Sequence, residues 1–432
     1  MQRRSKAAER VPRAASPPGR LKSALGAGVF RSGRLWEERP LRRHYDVVII
    51  GGGIHGLATA YYLAKDHGVR DIAVLESEYI GFGGSGRNTA IVRANQRTQE
   101  NVPLYDEGLK LWPILTDELD FNLMFHNCGN VNLAHSEAAV AAFRLSINTA
   151  NFCGVRSELL DPQQCKELVP ALDVSDRPAH PIQAGMYHPP GGVVRHDAVV
   201  WGLARGASQH GAAIHQGVEV RGIDTEGGRV TGVRTSAGPI GCRKLGIMAG
   251  GYGPAVAAML DIELPVNPLT IQAMVTQPLK PFLHHVVSSG AYHVYANQTL
   301  KGEIATGAHM DPQVNYTTDV TAGYFKHQAE SLTDFMPCLK GVRFLRVWAG
   351  LADMTPDMAP ILDGNFAHEG LYLDVGWGYF GFKSGPVAGR YMAEFMAREE
   401  APDILRPFAL RRFLENRYMG ETATTMKYGQ WD

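Results

Sequence analysis

The stretch YDVVIIGGGIHGLATAYYLAKDHG, residues 45–68, leaves little choice of local fold. A continuous apolar run of strand length turns through glycines, and then Leu57, Ala60, Tyr61, Leu63 and Ala64 recur at helical spacing. IAVLES follows as a second buried strand ending in Glu76, about twenty residues beyond the last glycine. Strand, turn, helix and strand with a terminal acid predict a dinucleotide-binding βαβ unit. The three glycines serve different ends. Gly51 makes the tight turn, Gly53 lets backbone approach a pyrophosphate, and Gly56 lets the helix pack closely on the strand. The helix N-terminus then faces the phosphate charge, and Glu76 accepts hydrogen bonds from a ribose. This fingerprint alone leaves NAD and FAD both open.

The theme returns twice. IHQGVEVRGIDTEGGRVTGVRTSAGPIGCRKLGIMAGG alternates in strand fashion around a Gly227-Gly228 turn, passes through Val220, and closes on an apolar strand before Gly250. GLYLDVGWGYFGFKSGPVAGRYMAEFM repeats strand, glycine loop and helix, with Gly378, Gly381 and Phe382 in the loop. A nucleotide domain assembled from residues 45–125, 190–265 and 346–413 is therefore expected. Residues 126–189 and 266–345 mix short strands with polar helices and are expected to form a second domain roofing a substrate cavity. Residues 1–44 are rich in Arg, Ala, Ser and Pro and read as a basic extension, mobile or partner-bound; 414–432 read as a tail.

Charge narrows the partners. Lys plus Arg and Asp plus Glu both number 43, so no global field attracts nucleic acid or an anionic membrane, and a small molecule is the expected ligand. No run of about 18 apolar residues occurs, so no membrane span is expected. The five cysteines are scattered without C-x-x-C spacing, which argues against a zinc or other metal site and against a disulfide framework; a reducing, cytoplasmic setting follows. The extension is acid-poor like a transit peptide, yet PRAASPPGR would break an amphipathic helix and no secretory apolar run is present.

The N-terminal fingerprint, GFGGSGRNTAIVR, LGIMAGGYGPAV and GWGYFGFKSGPVAG, in that order, resemble the glutathione-reductase-type FAD oxidoreductases of the D-amino-acid oxidase group. Together with LDPQQCKELVP and RHDAVVW, they are similar to the beta subunits of heterotetrameric sarcosine oxidases from about Tyr45 to about Phe413. The resemblance implies an α/β fold, with an FAD-binding Rossmann-like domain interleaved with a mixed-sheet substrate domain. It favours FAD over NAD, as does the second glycine cluster: Gly84 with Arg87, Asn88 and Thr89 would line the flavin.

The resemblance also implies a reaction, the oxidative demethylation of an N-methyl amino acid through an imine, within a hetero-oligomer. Arg93 in TAIVR and Lys383 in FGFKSG match the residues that hold the substrate carboxylate in monomeric relatives. Those relatives attach FAD through a cysteine before T-P-D, where this chain has WAGLADMTPD, so noncovalent FAD is expected; Ala352 stands near the place of an aromatic residue. His196, followed by Asp197, occupies the position that carries covalent FMN in the beta subunits, with Asp197 able to orient the ring. Otherwise His196 is an ordinary helix-start residue. Arg195 replaces a frequent lysine, which favours an electron acceptor other than oxygen. His55, His293 and His309 are candidate polar neighbours of the substrate, with a structural or exposed role the favoured reading of each. An N-methylglutamate dehydrogenase-like subunit and a noncatalytic flavoprotein assembly subunit are the rival readings.

Overall fold

The computed structural model describes residues 34–420. Strand β1 (His44–Ile50) is buried on both faces, as its unbroken apolar run requires of a central parallel strand. Val47 and Ile49 face one core, and Tyr45, Val48 and Ile50 the other. Helix α1 (Ile54–Asp66) leads into β2 (Ile72–Glu76), which lies parallel to β1. On the other side of β1 runs Gly238–Ile247, also parallel, and then Leu371–Val375. Ala213–Gln216 pairs with the free edge of β2, and Ile361–Gly364 pairs antiparallel with Leu371–Val375. The strands Val220–Glu226 and Arg229–Thr235 form the expected meander onto Gly238–Ile247. The result is the α/β, Rossmann-like sheet anticipated from the fingerprint.

A second sheet of eight strands is mixed, in the order 344–354, 267–276, 304–314, 294–298, 286–289, 130–134, 184–188 and 158–160. Its composition places one boundary differently from the sequence reading. The third nucleotide-domain segment is expected to open at 346, but Phe344–Met354 pairs along its length with Asn267–Thr276 in the second sheet. The chain rejoins the first sheet at Ile361. A one-strand error of this kind arises because alternation specifies a strand without specifying its partner. The expected extension also ends earlier than residue 44. Trp36 packs on the main core, and the Glu37 backbone N–H donates to the Ser208 hydroxyl at 3.0 Å. Residues 1–33 of that extension, and residues 421–432 of the tail, lie outside the described residues. Among the described residues no helix is long and apolar enough to cross a membrane.

One helix pair positions the site. The long helix Gly381–Arg398 lies against α1 with Gly385 and Gly389 at the contact. A Cβ on Gly389 would fall 2.4 Å from the Ala58 Cβ and 2.7 Å from the Thr59 backbone nitrogen; one on Gly385 would meet Ile54 at 2.6 Å. The two backbones approach as closely as hydrogen-only side chains permit. The N-termini of both helices therefore open at the same place. Gly389→Ala tests this, because the substitution gains about 1 kcal/mol of intrinsic helix propensity. It is nevertheless expected to lower stability by about 1–3 kcal/mol through overpacking, measured by denaturant unfolding; increased stability would contradict the close approach.

Candidate active site

A cavity of about 720 Å³ opens where the carboxyl ends of the parallel strands meet the second sheet. Ile50, Glu76, Met248 and Asp374 line it from the first sheet, and Ile271, Ser288 and Tyr295 from the second. This is the crevice in which open α/β sheets bind ligands. Its nucleotide end has the shape the glycines predict. Gly51 adopts φ +113°, and a Cβ there would strike the Met248 carbonyl at 2.3 Å. Gly56 is equally constrained, its Cβ falling 2.0 Å from the Gly51 carbonyl; it packs the turn and does not line the cavity. At Gly83 and Gly250 a Cβ would meet nothing within 4 Å, and at Gly84 only the Leu351 carbonyl at 3.8 Å. Bare backbone thus faces the open space of the cavity.

Glu76 sits at the end of β2. Its Oε2 accepts the Gly52 N–H at 2.9 Å and its Oε1 the Glu78 N–H at 3.0 Å. Oε1 also accepts the Ser77 hydroxyl at 3.3 Å, so Oε2 is the oxygen that keeps a lone pair for a ribose hydroxyl. Val220, Gly378, Gly381 and Phe382 also line the cavity. The second glycine cluster forms the short helix Gly84–Arg87 on the wall, with Ser85 accepting the Ile54 N–H at 2.9 Å. Arg87 donates to the carbonyls of Phe82 at 2.8 Å and Ala349 at 2.9 Å, tying this loop to the second sheet. Asn88 donates to the Ser85 carbonyl at 2.6 Å and accepts the Ala90 N–H at 2.7 Å, and Thr89 meets the Tyr295 hydroxyl. The residues present fit FAD: an open glycine turn and helix N-terminus for phosphate, an acid for ribose, and a deep crevice for a ring system.

The other end of the cavity carries two cations around one ring. The Arg93 guanidinium lies 5.6 Å and the Lys383 ammonium 5.0 Å from the centre of Phe380. Arg93 is 8% and Lys383 9% exposed. Arg93 donates to the Asn95 side-chain carbonyl at 3.0 Å, and Lys383 to the Tyr379 backbone carbonyl at 3.0 Å. The charge that acts on Lys383 is therefore a like one. Burial, reinforced by the nearby Arg93 charge, holds the Lys383 ammonium well below the usual lysine range. His188 braces the segment behind Arg93 by accepting the Ala94 N–H at 3.2 Å. Burial pushes its pKa down to about 4, so it adds no third charge.

Several wall residues carry no distinct mark in the sequence. His55, read as structural or exposed, lines the cavity with its ring between Asp374 and the Gly381 carbonyl. Asp353 accepts the Gly376 N–H at 2.7 Å and shapes the same loop. Tyr295 and Phe380 complete the aromatic wall. Their only sequence signal is position: His55 lies in the first turn of α1, and the others near strand ends or in a glycine loop. His293 and His309 do not line the cavity.

His196 also lies outside the cavity. It opens the helix His196–Gln209, half-buried, on the side of the Gly84–Arg87 turn where the Gly86 backbone meets it. Burial lowers its pKa, against the opposing effect of Asp197. Asp197 does not hold the ring as anticipated: its oxygens receive Arg195 at 2.7 and 2.9 Å and the Ala198 N–H at 2.8 Å.

A glycine-turned parallel sheet, a crevice that fits FAD and two buried cations at its far end define a flavin-dependent oxidoreductase. The chain belongs to the FAD dependent oxidoreductase (DAO) family, whose model matches residues 46–395. Sarcosine oxidase subunit beta of Rhizobium meliloti (strain 1021) is 43% identical over 378 residues, 88% of this chain and 90% of that protein. Sarcosine oxidase subunit beta of Arthrobacter sp is 38% identical over 88% of this chain and 93% of that protein. The crystal structure of L-proline dehydrogenase from P. horikoshii matches with a TM-score of 0.82 at 27% identity, over 87% of this chain and 99% of that one. Gly53→Val places a branched side chain toward Ser85, whose oxygen would lie 3.0 Å from the new Cβ. The variant is expected to bind FAD at least about tenfold more weakly, read from flavin fluorescence quenching; unchanged affinity would show that this turn does not hold the phosphates.

Proposed function

We propose that this protein oxidises a small N-methyl amino acid such as sarcosine at its carbon–nitrogen bond, as the flavin subunit of a multi-subunit enzyme. The observation that carries the reading is the pair Arg93 and Lys383, both buried and both close to the Phe380 ring. Two like charges in one desolvated place repel, and an anion between them offsets that cost. A substrate carboxylate supplies that anion. The guanidinium fixes its orientation through paired donors, and the ammonium adds a point charge. Both relatives named as sarcosine oxidase subunit beta support this substrate class and the hetero-oligomer.

FAD, when bound, accepts the hydride equivalent from the carbon beside nitrogen. The chain holds the acid by its carboxylate, presents the aromatic wall of Tyr295, Tyr379 and Phe380, and excludes water from the reacting bond. The oxidised product is an imine, which water hydrolyses to an aldehyde and the primary amino acid. Noncovalent FAD is supported by the wall segment Gly350–Asp353, which carries no cysteine, and among the described residues no cysteine lines the cavity. A monocarboxylate is favoured over N-methylglutamate by the described cations on the wall. Arg87 is bound to two backbone carbonyls, His55 lies between Asp374 and Gly381, and Arg93 and Lys383 together form one clamp.

For His196, the proposed role is attachment of FMN beyond the Gly84–Arg87 turn. Its lowered pKa keeps a ring nitrogen neutral and nucleophilic, and its partial exposure suits a second flavin shared with a partner subunit. A carbon–nitrogen bond to the flavin methyl group replaces one C–H and one N–H bond. Attachment would release the two protons to solvent and leave two electrons on the flavin, to be passed to the complex's electron acceptor. Protein produced with its partner subunits is expected to yield a tryptic peptide containing His196 with the FMN mass attached. His196→Asn is expected to abolish the adduct while retaining dissociable FAD; a complete complex without the adduct would return His196 to a helix-start role.

The substrate reading is tested by anaerobic flavin reduction. Sarcosine is expected to reduce the FAD, while dimethylamine, which has the N-methyl group without the carboxylate, is not; equal rates would overturn the clamp. Carboxylate binding should also take up a proton, because the anion restores the Lys383 charge that burial disfavours. Affinity for acetate is therefore highest below the lowered pKa of Lys383 and falls as pH rises through it, measurable as buffer-dependent binding enthalpy. Lys383→Met is expected to lose this response and to melt no lower than the parent, since a desolvated charge is exchanged for an apolar group.

A further inference from the structure

We infer that His55 and Asp374 form a charged latch that sets the position of Lys383, making His55 a positioning residue for the carboxylate site. The inference rests on the proposed clamp and deepens it. His55 Nδ1 lies 3.0 Å from Asp374 Oδ2, and Nε2 lies 2.9 Å from the Gly381 carbonyl oxygen. Both partners are acceptors. A neutral imidazole has one N–H, so only the doubly protonated ring satisfies both contacts.

The surroundings are built for that charge. Trp377 covers the imidazole with ring centres 4.8 Å apart, and its indole N–H donates to the other Asp374 oxygen. Asp353 is the second carboxylate facing the ring. Burial opposes protonation of His55, but Asp374, Asp353 and the Gly381 carbonyl together outweigh it, and the pKa is raised. The first turns of α1 and of the helix Gly381–Arg398 contain no acid that would compete for the ring. A cation within the first turn of a helix is electrostatically unfavourable by itself. Two such helix starts meet at His55, so its charge costs stability that Asp374, Asp353 and the Gly381 carbonyl offset.

What the latch grips is the first turn that carries Lys383. Gly381 begins that helix, and its carbonyl is held by His55. The Lys383 carbonyl accepts the Trp112 indole N–H at 3.2 Å, and the Ser384 hydroxyl donates to the Phe380 carbonyl at 3.0 Å. Of these restraints, the His55 contact alone reaches across from α1 and carries a charge. Deprotonation of His55, or loss of Asp374, frees the turn that holds Lys383 and Phe380 while leaving the phosphate turn at Gly51–Gly53 intact. Since the raised pKa belongs to the latched state, the latch holds while the His55 ring is charged and Asp374 is ionised, and it is lost as pH rises through the His55 pKa.

The test uses FAD-loaded protein with acetate and sarcosine as probes, in His55→Gln, Asp374→Asn, the double variant and Lys383→Met. His55→Gln and Asp374→Asn are each expected to raise the acetate dissociation constant about tenfold, with the FAD dissociation constant within about threefold of the parent. The double variant is expected to match either single one, because both break the same pair. The limiting rate of flavin reduction by sarcosine is expected to fall together with affinity, and His55→Gln is expected to lose the alkaline decline that its deprotonation causes. Acetate affinity unchanged in both singles overturns the latch, as does weakening confined to FAD. If His55→Gln does not fold, the isosteric Asp374→Asn carries the same two outcomes. Acetate affinity unchanged in Lys383→Met instead overturns the clamp itself, so the two failures are distinguishable.

Discussion

The contact between α1 and the helix Gly381–Arg398 is the constraint on which the site depends. Gly385 and Gly389 let the backbones approach until a single added carbon would collide with Ile54, Ala58 and Thr59. Because the helices are that close, their N-termini share one corner of the cavity. The first supplies the phosphate turn and His55; the second supplies Gly381, Phe382 and Lys383. The parallel strands supply direction, since β1, β2, Gly238–Ile247 and Leu371–Val375 all deliver their carboxyl ends to that corner.

Two buried arginines sit in different electrostatic surroundings. Arg412 is bound to both oxygens of Asp357, at 2.8 and 3.0 Å, and to backbone carbonyls of Phe408 and Ala359, with both side chains almost wholly buried. An opposite charge balances it, and it braces the loop after Met354. Arg93 is nearly as deeply placed but has a second cation, Lys383, for a neighbour, and their shared ring is Phe380. Repulsion between like charges in a desolvated place weighs against stability. Under the proposed clamp, a carboxylate ligand plays toward Arg93 and Lys383 the part that Asp357 plays toward Arg412.

Much of this was legible in the chain itself, and the limits have physical causes. The fingerprint around Gly51, Gly53 and Gly56 could be read because strand, turn and helix impose different periods on adjacent residues. Arg93 and Lys383 came from resemblance, and the structure brings them together although 290 residues separate them by number. Gly385 and Gly389 gave no signal, because a glycine within a helical pattern does not name the helix it touches. His55 was undervalued for a similar reason: its meaning lies in Asp374 and Gly381, which the fold alone makes its neighbours. Of the two roles open to Asp197, orienting the His196 ring gives way to bidentate pairing with Arg195, while its charge still acts to raise the His196 pKa.

Whether Arg93 and Lys383 grip a carboxylate is decided by a crystal structure of the FAD-loaded protein with acetate. The carboxylate is expected beside Phe380, with its oxygens about 3 Å from the Lys383 Nζ and from the Arg93 guanidinium. Acetate bound elsewhere while this position holds only solvent would contradict the clamp.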